Sequence, residues 1–229
     1  MNRHRYRLLM KTGPLIGLLF GALAFLGCSR PTFRVFEKPL DFNEERQALS
    51  LAYLKERHGI EKDAPTIEPR IVVLHWTAIP SVEKTFDVFE PSILPSARAG
   101  ISGASALNVS SQFVVDRDGT IFRLLPDTAF ARHVIGLNYC AIGVENIGSS
   151  RMPLTKAQVK ANEDLIRYLK TKYPIEYVIG HHEYKSFIGH PLWKETDPNY
   201  LTQKSDPGDR FMRKIRKRIK HLNLNGVPD

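Results

Sequence analysis

One short run of residues most constrains the fold of this chain. Residues 70–76 read Arg-Ile-Val-Val-Leu-His-Trp and are apolar on both faces of an extended strand. A sheet that meets water on one face alternates apolar and polar residues, so a strand without that alternation is typically covered on both sides. The run therefore predicts a central, buried strand in a domain whose other elements cover both faces of the sheet.

The other predicted elements alternate between helices and strands. Asn43 and Thr155 can act as N-caps, Gln158 completes a capping box, and Asp116-Arg-Asp-Gly119 is a hairpin signal. Strands that alternate with helices in this way indicate an α/β domain. We predict helices over 43–58, 81–89, 155–172 and from Asp206 or Asp209 onward, strands over 110–115, 120–125, 141–146 and 177–180, a tether over 29–42, a long surface loop over 90–108 and a polar loop over 183–203.

Composition narrows the class further. Apolar residues make up 42% of the 229 residues and charged residues 25%, which is globular and argues against disorder, collagen or coiled coil. No apolar run approaches the ~18–20 residues that span a bilayer, so a polytopic membrane protein is excluded. Two cysteines cannot form a disulfide-rich scaffold.

The first 28 residues have the pattern of an export signal. Four basic residues and no acid occupy positions 1–13, and a short apolar run follows from Pro14 to Gly27. This pattern is typical of a secretory signal peptide. Leu26-Gly27-Cys28-Ser29 resembles a bacterial lipobox, in which the cysteine is lipid-modified, although Phe25 stands where Leu is usual. The alternative is an ordinary signal peptide with an incidental Cys28.

Export changes how the net charge of +9 is interpreted. Removal of residues 1–27 lowers the net charge by four, so the remaining positive charge is weak evidence for nucleic-acid binding. No nucleic-acid partner is expected. We expect a lipoprotein anchored by Cys28 in the bacterial cell envelope. Ser29 after the cysteine favours the outer membrane, with the protein facing the periplasm. Cys140 then lacks a partner and is expected to be buried and inert.

Two candidate functional side chains stand at predicted strand ends. His75 lies at the C-terminal end of the 70–76 strand, where open α/β sheets place ligands. On the 141–146 strand, Glu145 shares a face with Ala141 and Gly143, and these small residues predict open space above the sheet. A carboxylate that faces such a space is a candidate general base, and a surface-facing Glu145 is the alternative.

His181, His182 and Asp206 are weak candidates when taken singly. Adjacent residues at a strand end point in opposite directions, so one metal ion would take only one of the two histidines. A lone histidine is more often structural, and Asp206 precedes Pro207-Gly208 and a helix, where an N-cap is the simpler role. The spacing of His75, His181 and Asp206 forms no compact metal motif.

The motifs taken together are more specific than any one residue. Their order resembles that of the zinc-dependent N-acetylmuramoyl-L-alanine amidases, the family that includes the peptidoglycan recognition proteins, and the resemblance covers roughly residues 68–216. It implies a single domain with a central mixed β-sheet flanked by α-helices. The motifs are His75-Trp-Thr-Ala, the Val-Val-Asp-Arg-Asp-Gly119 hairpin, Ala131-Arg-His133, Ile142-Gly-Val-Glu-Asn-Ile-Gly148, Gly180-His181 and Lys204-Ser-Asp-Pro-Gly208.

The resemblance implies a role for each matched residue. The zinc ligands fall on His75, His181 and Asp206, the catalytic carboxylate on Glu145 and the active-site lysine on Lys204. The implied activity is zinc-dependent hydrolysis of the amide between N-acetylmuramic acid and L-alanine in peptidoglycan or muropeptides, in wall remodelling or turnover. The implied domains are a signal peptide over 1–27, a tether and helix over 28–66, the amidase domain over 67–220 and a tail over 221–229.

Several residues keep two interpretations. His133, Trp76 and Trp193 are candidate substrate contacts, whereas a structural hydrogen bond for His133 and a loop anchored by Trp193 are the alternatives. His182 is the alternative ligand to His181. Gln112 departs from the family, many of whose members have a histidine there. The basic residues of the last helix form either a solvated face or a contact with anionic lipid or wall polymer; they are Arg213, Lys214, Arg216, Lys217, Arg218 and Lys220.

Two further functions compete with the enzyme. One is a peptidoglycan-binding lipoprotein of the same fold that does not cleave. Family members that only bind generally lack a zinc ligand, and this chain retains all three with Glu145 and Lys204. The other is a structural lipoprotein, which leaves the ordered motifs unexplained. The oligomeric state is left open.

Overall fold

The computed structural model describes residues 34–95 and 103–228. The predicted signal peptide over 1–27 and the predicted lipidation site at Cys28 lie outside these ranges. Within them, no helix combines the length and hydrophobicity needed to cross a bilayer.

A six-stranded mixed sheet organises the domain. Its order is β1-β4-β3-β5-β2-β6, and every neighbouring pair is parallel except the β3–β4 hairpin. The predicted mixed sheet and the central position of the 70–76 strand are confirmed. The strands are β1 (Val35–Glu37), β2 (Ile71–Trp76), β3 (Phe113–Val115), β4 (Ile121–Arg123), β5 (Ala141–Asn146) and β6 (Tyr177–Gly180).

The helices begin at the predicted caps. Asn43 caps the first helix and Gly59 ends it at φ 64°. Thr155 and Gln158 form the predicted capping box. Of the two predicted starts for the last helix, the structure has Asp209. The α-helices are α1 (Glu44–His58), α2 (Val82–Phe89), α3 (Lys156–Lys172) and α4 (Asp209–Ile219), with 3₁₀ turns over His181–Phe187 and Lys220–Leu222.

Both faces of the sheet are buried. Val72 and Leu74 of β2 belong to a core that includes residues of α1, α3 and α4. Ile71 and Val73 face the other way, into a cluster with residues 134–140 and 184–192. Helix α2 covers that second face further along, at Val114. His75 continues the second face at the end of β2, where its side chain is buried.

The structure differs from the prediction in the connecting segments. Strand β1, which pairs with β4, lies within the predicted tether. The sequence did not indicate this strand, because three residues are too few to show an alternation of apolar and polar side chains. The described ends of the 90–108 segment are partly buried, since the Asn108 amide donates to the Val88 and Pro91 carbonyls. The predicted 183–203 loop begins with a 3₁₀ turn and places Tyr184, Phe187 and Leu192 in the second core cluster.

Candidate metal centre and active site

Two neighbouring strand ends bring His75 and His181 together. β2 and β6 are parallel, with Leu74 opposite Gly180, so the residues that follow are side by side at one edge of the sheet. The His75 and His181 side chains are buried, and their Nδ1 atoms are 3.0 Å apart. Residues separated by 106 positions in the sequence therefore share one site.

Asp206 joins the two histidines from the segment before α4. The His182 backbone N–H donates to the Asp206 carbonyl oxygen at 2.9 Å, which ties this segment to the end of β6. The His182 ring is directed to the Asp206 backbone and to Asp209, whose Oδ1 lies 2.9 Å from its Nε2. His181, not His182, is thus the histidine that joins the cluster.

The three side chains form a nearly equilateral triangle of ligand atoms. His75 Nδ1 lies 3.2 Å from Asp206 Oδ2, and His181 Nδ1 lies 3.1 Å from the same oxygen. Together with the 3.0 Å between the two nitrogens, these distances define a compact cluster of two imidazoles and one carboxylate. Among the described residues it is the group of this kind that could hold a metal ion.

Burial and mutual contact set the protonation of this cluster. Burial, followed by the neighbouring His75 ring, lowers the pKa of His181 to about 4 against the opposing effect of Asp206. Burial opposes ionisation of Asp206, but the adjacent His181 and His75 rings outweigh it and lower the pKa of its carboxyl. At neutral pH, His181 is therefore an uncharged ring with a free lone pair and Asp206 is an anion, the forms that bind metal.

His133 fixes which nitrogen of His75 carries the proton. Its Nε2 lies 3.1 Å from the Ala141 carbonyl oxygen, which can only accept, so this nitrogen donates. In a neutral ring His133 Nδ1 then accepts from His75 Nε2, 3.1 Å away. A neutral His75 ring with its proton on Nε2 has the Nδ1 lone pair available to a metal ion. The structure thus gives His133 a hydrogen-bonding position behind the cluster.

The small residues of β5 make room for that ring. A Cβ on Gly143 would lie 2.8 Å from the His133 ring, so the space above β5 that the sequence predicted to be open is filled by His133. Gln112 supports the same strand from its other side, accepting from the Gly143 N–H at 2.7 Å and donating to Ala129. The family departure at Gln112 is therefore a buried structural bridge.

Glu145 and Lys204 flank the cluster. Glu145 is paired with His75 in the β2–β5 register, so the two side chains leave the same face of strands that lie about 4.8 Å apart. Glu145 is half-buried, and Lys204 is partly exposed two residues before Asp206. The sequence interpretation of Glu145 as a carboxylate above the sheet agrees with this placement.

The two tryptophans lie outside the cluster. Trp76 lines a cavity of about 420 Å³ together with Pro207 and Gly208, which follow Asp206 of the cluster. Trp193 packs on Tyr184, with ring centroids 6.1 Å apart, and a Cβ on Gly136 would collide with its ring. Trp193 thus has the contacts of a loop anchor, and Trp76 those of a groove wall.

Sequence reasoning missed a second, smaller cavity beside the cluster. It has a volume of about 50 Å³ and is reached from His133, His181 and Lys204. Helix α1 contributes Tyr53 to the cavity wall, although its sequence resembles that of an ordinary core helix. The one sequence signal for this cavity was the position of Arg132 directly before His133. Its other polar lining residues include Tyr53, Asn138 and Thr202.

Comparison with known proteins agrees with this geometry. The family model described as N-acetylmuramoyl-L-alanine amidase matches residues 64–209, which include every residue of the cluster, Glu145 and Lys204. None of the curated proteins matches the chain significantly.

Solved structures share the fold at low sequence identity. The amidase LysC from Clostridium intestinale URNW is 20% identical, with a TM-score of 0.53 over 85% of this chain and 100% of that one. The endolysin amidase LysCS from the same organism is 20% identical, with a TM-score of 0.50 over 84% and 97%. A lower-scoring match, at 0.46 and 18% identity over 85% and 98%, is bumblebee PGRP-SA. With more than half of its length matched by the family model, the chain belongs to the N-acetylmuramoyl-L-alanine amidase family.

Proposed function

We propose that this protein hydrolyses the amide bond between N-acetylmuramic acid and L-alanine in peptidoglycan or muropeptides, with one zinc ion as cofactor, in cell-wall remodelling or turnover. The triangle of His75 Nδ1, His181 Nδ1 and Asp206 Oδ2, with sides of 3.0–3.2 Å, carries the proposal. Membership of the amidase family supports the choice of substrate.

The three side chains fit zinc better than other common metal ions. Two imidazoles and one carboxylate are a familiar catalytic zinc set that keeps a fourth position free, whereas Ca²⁺ and Mg²⁺ prefer all-oxygen sites. Ligand atoms bound tetrahedrally at about 2.0–2.1 Å are about 3.3 Å from one another, close to the separations found here. His75 Nδ1, His181 Nδ1 and Asp206 Oδ2 would be the ligand atoms.

The chain's own residues then divide the remaining chemistry. When bound, zinc supplies Lewis-acid polarisation of the scissile carbonyl and makes water more acidic. Glu145 takes a proton from the attacking water and delivers it to the L-alanine nitrogen as the C–N bond breaks. The Lys204 ammonium stabilises the negative charge that develops on the carbonyl oxygen. His133 holds His75 in the ligand-competent tautomer.

The test compares two carboxylates. Full-length zinc-loaded protein is incubated with sacculi, and released peptides are identified by mass spectrometry. Wild type and the exposed-site control Glu68→Gln should release peptides with a free L-alanine amino terminus. Glu145→Gln should lose about 100-fold or more in rate, because general acid–base catalysis contributes at that level.

Two outcomes would contradict the proposal. Equal release by Glu145→Gln and wild type would discard the role of Glu145. Tight binding of sacculi by zinc-loaded wild type without any release would favour the non-catalytic peptidoglycan-binding lipoprotein.

We also propose that the protein is exported and lipid-anchored at Cys28 in the bacterial cell envelope, in the outer membrane facing the periplasm. The support is the basic and apolar pattern before Leu26-Gly27-Cys28. Cys28→Ser should move the protein from the membrane fraction to the soluble fraction, and Cys140→Ser, a change at a buried thiol, should not. Membrane pelleting of Cys28→Ser would refute the anchor.

A further inference from the structure

The 50 Å³ cavity beside the ligand cluster has a polar lining that the proposed mechanism does not use. His181 and Lys204 belong both to its wall and to the proposed active site. Thr202, Lys204 and His133 are partly exposed, so a group carried by a bound substrate can reach it. A role for the cavity in substrate binding rests on the proposed amidase function.

Three side chains of this wall have polar atoms without a hydrogen-bond partner. They are the Tyr53 hydroxyl, the Asn138 side-chain nitrogen and the Thr202 hydroxyl. The Tyr53 and Asn138 side chains are fully buried. Buried polar atoms almost always have partners, so three in one wall indicate a ligand or water that supplies them. All three can donate a hydrogen bond.

The charge of the wall favours an anion. Arg132 is buried there and hydrogen-bonds to the Tyr200 hydroxyl at 3.1 Å, and Lys204 adds a second cation. No Asp or Glu is among the described residues that line the cavity. Two cations with neutral donors match a carboxylate, which only accepts hydrogen bonds and bonds most strongly to charged donors.

Size limits the ligand to a small group. A water molecule needs about 10–15 Å³ of cavity volume, so a cavity of about 50 Å³ holds roughly three or four atoms of that size. This is enough for one carboxylate group and too little for a sugar ring. The proximity of His181 restricts the source to a group close to the scissile amide. On the peptide side of a muropeptide, the nearest carboxylate belongs to the amino acid after L-alanine.

We propose that this cavity is a specificity pocket for the α-carboxylate of the second amino acid of the stem peptide. Tyr53 lies in α1, outside residues 64–209 matched by the family model. The pocket discriminates a free carboxylate from a carboxamide, because an amide nitrogen would meet donors and cations instead of acceptors.

Two N-acetylmuramoyl dipeptides that differ only in a carboxylate or carboxamide at this position test the proposal. Zinc-loaded full-length wild type should favour the carboxylate by about tenfold or more in kcat/KM, as expected for the loss of a charge-assisted hydrogen bond. Asn138→Asp retains the Oδ1 acceptor for the His133 and Val134 N–H groups but puts negative charge in the pocket, so this preference should disappear. Tyr53→Phe should reduce the preference.

A matched control and a binding measurement complete the design. Tyr173→Phe removes a hydroxyl that bonds Asp127 away from the pocket and should retain the full preference. Calorimetric titration of both dipeptides into Glu145→Gln protein should show the same selectivity in Kd. Equal kcat/KM for both substrates, or an unchanged preference in Asn138→Asp and Tyr53→Phe, would mean that the cavity holds only water. That result would contradict the specificity pocket but not the proposed amidase activity. Cleavage of neither substrate would overturn both.

Discussion

His75 depends on a residue outside the ligand cluster. Burial, followed by the adjacent His75 ring, holds the pKa of His133 well below its usual range, so the ring stays neutral and its Nδ1 accepts from His75. A hydrogen bond of this kind fixes the orientation and tautomer of a metal-binding histidine, and its loss typically costs about 10–100-fold in metal affinity.

We predict that His133→Phe weakens zinc binding by about tenfold or more, because the phenyl ring fills the space of the imidazole but cannot accept the hydrogen bond from His75. Competition with a chromogenic chelator measures the affinity. His221→Phe, at an exposed position in the last 3₁₀ turn, is the matched control and should bind zinc like wild type. Equal affinity for His133→Phe would show that His75 is positioned without it.

His58 is a buried histidine of a different kind. It ends α1 among the rings of Tyr53, Phe130 and Tyr139, and burial lowers its pKa from 6.5 to about 4. Because the folded pKa is the lower one, the unfolded chain binds more protons between these values. The neutral ring therefore contributes stability above pH 6.5 that is lost as the pH falls toward 4.

We predict that the free energy of unfolding of the metal-free protein decreases between about pH 6.5 and pH 4, with His58 contributing up to about 3 kcal/mol. His181 and His133 contribute in the same direction, so the comparison with His58→Gln isolates the share of His58. Urea unfolding at several pH values across this range should show a smaller loss of unfolding free energy per pH unit for His58→Gln than for wild type or His221→Gln. Equal losses per pH unit in all three proteins would show that His58 does not cause the pH dependence.

At the scale of elements, α1 holds the loop that leads to the active site. Arg57 Nη2 lies 2.7 Å from Glu195 Oε1, and the guanidinium lies over the Tyr200 ring at 4.4 Å. The Thr196 hydroxyl donates to the Glu56 carbonyl oxygen at 2.6 Å. Since Tyr200, Thr202 and Lys204 follow in the same segment, α1 fixes part of the wall of the small cavity.

We predict that Arg57→Ala destabilises the fold by about 3 kcal/mol, because the Glu195 side chain is only 1% exposed and would lose its cation. Lys55→Ala, in the same helix, breaks the exposed pair with Glu61 and should change stability little. Chemical denaturation measures both. A loss in Arg57→Ala no larger than in Lys55→Ala would show that the contact does not hold the loop.

Most regular elements and the β3–β4 hairpin were predictable, whereas β1 and the segment after β6 were not. Strands β5 and β6 have the predicted bounds, because apolar residues between turn signals specify a strand locally. Strand β3 covers only Phe113–Val115 of the predicted 110–115, since Ser110 and Ser111 are buried without ladder partners on both sides. The segment after β6 is shaped by tertiary contacts such as Tyr184 on Trp193, which have no local sequence signal.

At the scale of the whole molecule, the site could be predicted from the ordered motifs and not from spacing. His75, His181 and Asp206 meet only because β2 and β6 are neighbours in the sheet. The small cavity was not predictable, because Tyr53, Asn138 and Thr202 come from three separate segments and resemble core or loop residues.

The basic residues of the last helix, α4, fall into two groups. Arg216 and Arg218 form ion pairs with Glu183 and Glu163, which attach α4 to the 3₁₀ turn and to α3. Arg213, Lys214 and Lys217 are exposed. The two interpretations, a solvated face and a contact with anionic lipid or wall polymer, thus concern these exposed residues, whereas Arg216 and Arg218 are paired within the domain.

Cleavage by this protein should require zinc. Zinc is added stepwise to metal-free full-length protein, and peptide release from sacculi is followed by mass spectrometry. We predict no release without zinc, release that saturates near one zinc per chain, and none from His75→Ala at the same zinc concentration, because one of its three ligand atoms is gone. Release that does not depend on zinc, or full release by His75→Ala, would contradict the account.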